Sequence, residues 1–284
     1  MAVASLAVFA LVIPLVSLFS SAALALVALR KGALESAWVM GLSALAAGVL
    51  GMVLTGTVYP ALVYGLLLWV PIWLAAILLR ESGQLALALE GALGLGIVAV
   101  IAVYSLVQDP AQMWQESLQR FIQPMLEHAP PGFDPAQLTQ NVEFFSHYMS
   151  GIAAGGSVMS LILSLLVARW WQAMLFNPGG FRAEFHALRL HSAVVYLGLG
   201  SIAATLAGGG AAEIAWNMNI VFFVLFLVAG FAILHAVFPS NGAKRFWLTT
   251  VYVAALIIPQ LLLPVAFLGL TDVWLNWRRR IPHG

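Results

Sequence analysis

Long apolar runs alternate with short polar junctions along this chain, and the runs set the elements. About eight apolar stretches stand out, roughly 3–29, 33–56, 59–79, 84–107, 148–176, 190–207, 214–238 and 246–270. As helices, most are long enough to cross a hydrocarbon core of about 30 Å. Gly, Pro and charged clusters punctuate them: Arg30-Lys31-Gly32, Gly56 to Pro60, Arg80-Glu81-Ser82-Gly83, Asn177-Pro178-Gly179-Gly180, Gly208-Gly209-Gly210 and Pro239-Ser240-Asn241-Gly242. Only helices and closed barrels satisfy their backbone inside lipid. The pattern therefore predicts an all-α, polytopic transmembrane bundle of about eight membrane segments, a single integral membrane domain over residues 1–284. The first run carries no Lys or Arg before Arg30 and is longer than a secretory h-region, so it reads as an uncleaved span. Pro14 lies within that run and is expected to kink or break it.

Composition sharpens this. Hydrophobic residues make up 62% of the chain and charged residues only 8%, so the position of each charge matters more than the net +1. Arg30/Lys31, Arg80, Arg182/Arg189 and Lys244/Arg245 fall on alternate junctions, which the positive-inside rule places in the cytoplasm. The stretch 108–147 carries Asp109, Glu116, Glu127, Asp134 and Glu143 against Arg120 alone, and so falls outside. A simple final span would leave Arg278-Arg279-Arg280 outside as well. Pro259-Gln260 and Pro264 offer an alternative: two half-helices that return the tail to the cytoplasm. The tail's charge favours the hairpin, and a Pro-kinked complete span stays open.

The stretch 108–147 is the one sizeable polar insert. Met113, Trp114, Leu118, Phe121, Ile122 and Met125 recur at helical spacing, so Gln112 to Glu127 predicts an amphipathic helix. Pro130-Pro131-Gly132 ends it. Asp134 before Pro135 predicts an N-cap and a second helix that runs on into the next span. The expected result is an extracytoplasmic helical lid on the membrane surface.

Chemistry-bearing residues are few. The chain has no cysteine, which excludes disulfides and thiolate sites. It also lacks HExxH, P-loop and GxSxG patterns. We therefore expect no catalysis, no cofactor, no metal and no nucleic-acid partner. Glu143 and His147 are an i, i+4 pair without a third ligand. Polar residues within apolar segments are expensive and mark function or packing. On that ground Glu213, Asn217, Asn219, Gln260, Tyr252 and Glu90 are candidate ligand contacts, with Tyr104 and Gln108 near the outer end of the fourth segment. Small residues at Ser17/Ser21/Ala25, Gly41/Ala44/Gly48/Gly51 and Gly151/Gly155 mark faces for close helix packing or a membrane partner. On the 177–191 junction, Arg182, Phe185 and Arg189 share a helical face suited to an anionic lipid or an acidic partner.

The run Trp171-Gln172-Ala173-Met174-Leu175-Phe176-Asn177-Pro178-Gly179-Gly180-Phe181-Arg182 to Arg189, with Gly269-Leu270-Thr271-Asp272-Val273-Trp274-Leu275-Asn276-Trp277-Arg278, resembles the YybS-like membrane proteins of bacteria. That resemblance covers essentially the whole chain. It implies a fold similar to the substrate-binding subunits of energy-coupling-factor vitamin transporters. Such subunits hold a ligand in an outward pocket under a loop and dock an energising partner through small residues. This chain departs from them in having about eight segments rather than six and in lacking a recognisable vitamin-binding motif. The resulting expectation is a bacterial inner-membrane small-molecule carrier or substrate-binding subunit, alone, as a homo-oligomer or with a partner subunit. The alternative is a membrane scaffold acting through its arginine-bearing junction.

Overall fold

A computed structural model describes residues 16–128, 134–238 and 242–280. The described residues are helical apart from short connections, with no strand among them. The helices are α1 (Val16–Lys31), α2 (Ala33–Thr55), α3 (Tyr59–Val63), α4 (Val70–Ser82), α5 (Leu85–Leu106), α6 (Pro110–Glu127), α7 (Pro135–Ser146), α8 (Met149–Phe176), α9 (Gly180–His186), α10 (Ser192–Ala204), α11 (Gly209–Val237), α12 (Gly242–Ile257), α13 (Leu262–Leu275) and α14 (Trp277–Arg280). Among the described residues, five stretches are long and apolar enough to cross a membrane: Ala33–Leu54, Gly65–Ser82, Leu85–Leu106, Met149–Phe176 and Gly209–Val237. Pro14 and the Pro130-Pro131-Gly132 break lie outside the described residues.

Between α3 and α4 the chain takes a π-helical course over Tyr64–Trp69. Pro71, at the start of α4, has no N–H to give the preceding turn, and the wider π-turn accommodates its ring. The turn carries Trp69 into the bundle, where it is fully buried and its indole N–H donates to Ser20 Oγ at 3.3 Å.

One end of the bundle gathers the basic residues. Arg80 donates to the Leu29 carbonyl at 2.7 Å, and the Arg30 guanidinium sits 3.5 Å from the Phe176 ring centroid. Arg169 of α8 pairs with Glu184 of α9. Phe185 packs edge-on against His235 of α11. His191 donates its backbone N–H to Glu90 at 2.7 Å. These contacts join the C-terminal ends of α1, α4, α8 and α11 in one layer. The opposite end collects Glu116, Glu127 and Glu143 on α6 and α7, Asp109 and Asp134 just before those two helices, and Glu213 at the start of α11.

The last apolar run is two helices, not one. Ile258 leaves helical geometry, Pro259–Leu261 makes a single 3-10 turn, and α13 follows. Gly269 lies on Phe226 and Gly230 of α11 so closely that a Cβ there would enter the Phe226 carbonyl. Arg278 donates to the His186 and Leu188 carbonyls at 2.7 and 2.6 Å, at the basic end. α13 therefore runs parallel to α11, and α12 and α13 form a hairpin that begins and finishes at that end.

The small-residue faces divide. Ser21 and Ala25 are buried in the bundle, and Gly151 and Gly155 face Asn217 and Ile220 of α11. Gly41, Ala44 and Gly48 instead line an open apolar groove of about 520 Å³ between α2 and α3, rimmed by Met52, Val58 and Leu62.

Candidate functional site

At the acidic end three helices meet around one amide. Asn217, fully buried on α11, accepts from the Gly151 N–H through Oδ1 at 2.5 Å and donates from Nδ2 to the His147 carbonyl at 2.7 Å. His147 O and Gly151 N are the i and i+4 partners of an ordinary helix, so the amide has been inserted into that rung. This interrupts the helix at His147 and Tyr148. The second insert helix therefore does not run on into the next span, as its sequence predicts, but stops at Ser146 and restarts at Met149. Gly151 is required there, because a Cβ would sit 2.5 Å from the Asn217 carbonyl oxygen.

A titratable cluster surrounds this joint. Tyr104 of α5 donates its hydroxyl to Glu213 Oε1 at 2.8 Å and lies 3.0 Å from Asn217 Nδ2. The other carboxylate oxygen, Oε2, is 3.1 Å from His147 Nδ1. Glu213 is about a quarter exposed and His147 about half, so the pair meets solvent while Asn217 beneath it does not. Helix α6 leans over this end: Asp109 caps it through Gln112 N–H, and the Trp114 indole donates to Ser150 Oγ at 2.9 Å. Asp134 caps α7 in the same way, as its place before Pro135 predicts.

The six ligand candidates read from sequence do not converge on one pocket. Glu213 and Asn217 come together, joined by Tyr104 and by His147. Asn219 points to another neighbour, 3.4 Å from the Ser201 carbonyl of α10. Glu90 lies at the basic end and holds His191 through both carboxylate oxygens, at 2.7 Å each. Tyr252 on α12 meets His235 at 2.9 Å, also toward the basic end. Gln260 is exposed at the hairpin turn. The partner of His147 is Glu213, 66 residues along the chain, rather than its helical neighbour Glu143.

The junction candidates are largely engaged within the chain. Arg189 Nε is 3.7 Å from the buried Asp272, which also binds Arg278 at 2.5 Å and accepts the Trp277 N–H at 3.0 Å. Phe185 stacks on Phe181. Arg182 lines a shallow apolar recess of about 400 Å³ with Trp170, Met174 and Phe181. Among the described residues no three His, Asp or Glu gather as metal ligands.

No curated protein and no solved structure matches this chain. A family does match, over residues 1–273, nearly the full described bundle. The apolar helices, the segregated charge and this match agree, and the chain belongs to the family described as predicted membrane protein (DUF2232).

Proposed function

We propose that this protein is a small-molecule carrier or substrate-binding transport subunit of a bacterial inner membrane, without catalysis of its own. The observation that carries the reading is the Tyr104–Glu213–His147 cluster: a carboxylate and an imidazole, partly open to solvent, where apolar helices converge. Ionisable groups at such places are expensive and mark binding or proton-transfer sites. The basic end faces the cytoplasm by the positive-inside rule, which puts the cluster and the α6–α7 insert outside. In that orientation the bundle has eight membrane segments, the last of them the α12–α13 hairpin. Phe121 and Met125, exposed on the apolar side of α6, rest in the lipid interface, and α6 acts as the lid. The likeness of residues 171–189 and 269–278 to YybS-like proteins, and through them to vitamin-transporter binding subunits, points the same way. Glu213 and His147 contact the ligand, and Asn217 positions them through the α8 joint. Residues Asn219, Glu90, Tyr252 and Gln260 serve packing or assembly instead.

Native mass spectrometry of protein extracted gently from its own membrane tests this. Wild type is expected to carry a bound small metabolite that Glu213→Gln loses. Protein free of any small molecule in both forms overturns the reading.

A scaffold function is the second reading, favoured by the Arg182 recess, whose tryptophan, apolar floor and guanidinium suit an anionic lipid head group or an acidic partner segment. Charge reversal at Arg182 that removes a co-purifying lipid or protein while the Glu213 cluster stays silent would select it.

A further inference from the structure

The hairpin places irregular backbone inside the bilayer. At 1.5 Å per residue, α12 is about 24 Å long and α13 about 21 Å, each short of the roughly 30 Å core. Both arms start from the basic end and neither is long enough to cross, so the turn at Ile258–Leu261 lies within the hydrocarbon. All four of its residues are exposed on the single chain. Proline at 259 brings no N–H, and a helix ends on one side of the turn and starts on the other, each leaving backbone groups outside its ladder. Backbone of this kind does not face lipid; it is tolerated at depth only when protein or a wet cavity covers it. The Gln260 amide adds a donor and an acceptor at the same level, and it has no side-chain hydrogen bond among the described residues.

We infer that the turn is covered by the same turn of a second copy. The covering surface must supply hydrogen-bond donors and acceptors at one particular depth. Copies inserted with the same orientation are related by a two-fold axis along the membrane normal, which brings identical residues to identical depth. A glutamine amide is complementary to itself, each NH₂ donating to the other's carbonyl. Two Gln260 amides therefore satisfy each other, while Ile257, Ile258 and Leu263, all exposed, pack around them. The contact is isologous and closed, the commonest form of oligomer. It leaves the acidic-end cluster untouched, so its failure and that of the carrier reading are separable.

The absence of cysteine makes the test clean. Gln260→Cys is oxidised in native membranes with copper phenanthroline, beside Val98→Cys, which is exposed on the lipid-facing side of α5. The expected result is a disulfide-linked band at twice the chain's mass for Gln260→Cys and monomer for Val98→Cys. Equal behaviour of the two, or an adduct with a different protein, overturns the inference. Gln260→Leu checks it without a thiol: wild type is expected as a dimer in lipid nanodiscs by native mass spectrometry and the variant as monomer. A wild-type monomer there overturns it as well.

Discussion

Asn217 bridges the His147 carbonyl and the Gly151 amide, supplying from α11 the rung that the α7–α8 junction lacks. One buried side chain thus fixes where α8 begins and aims the ring of His147 at Glu213. Removing it strands the buried Gly151 N–H, at about 1–3 kcal/mol for a buried group left unpaired, and unpairs the partly buried His147 carbonyl as well. Asn217→Ala is expected to lower the thermal unfolding midpoint in detergent clearly. Asn219→Ala, which gives up one long 3.4 Å contact, is expected to move it little.

Gly151 and Gly156 occupy the same helix but opposite circumstances. A Cβ at 151 meets the Asn217 backbone, whereas one at 156 meets nothing within 4 Å. Gly151→Ala should therefore destabilise by pushing α8 from α11. Gly156→Ala should be neutral or slightly stabilising, since alanine is the better helix former by about 1 kcal/mol. Comparison of the two midpoints checks the close approach.

At the other end, Asp272 ties the tail to the 180–191 connection. Its removal leaves Arg278, mostly buried, without its anion. Breaking one side of such a pair costs about 3–5 kcal/mol when it is fully buried, and less here because Arg189 is half exposed. Asp272→Ala should lower stability, and Asp272→Ala with Arg278→Met should recover part of the loss. A double-mutant cycle on thermal midpoints reads the coupling.

Sidedness is open to direct labelling, since any introduced cysteine is unique. His147→Cys is expected to react with a membrane-impermeant maleimide on intact cells. His191→Cys, at the basic end, is expected to react only after permeabilisation. The reverse pattern would invert the bundle.

How much of this was legible in the chain follows from what one dimension carries. Helix limits were readable where a backbone-specific residue marks them: Asp134 as a cap, Pro259 as the point where α12 stops; the cap at Asp109 came only with the structure. The π-turn before Pro71 was not, because its cause is a steric clash inside a continuous apolar run. Polar residues in apolar segments were visible as exceptions, but polarity tells that a partner exists, not which one. His147 sits four residues from Glu143 and bonds Glu213 instead. Glu90 shares its composition with Glu213 and lies at the far end of the bundle with His191. The tail illustrates the same limit. Its charge favoured a return to the basic end, yet the pairing of Arg278 and Arg189 on Asp272 depends on how α13 packs along α11.

The carrier reading is met most directly by profiling what cells take from their medium. Cells lacking the protein are compared with cells restored by wild type or by Glu213→Gln, all at equal membrane levels. At least one small compound is expected to be depleted by wild type and spared by both the deletion and Glu213→Gln. Identical profiles for the three would contradict it.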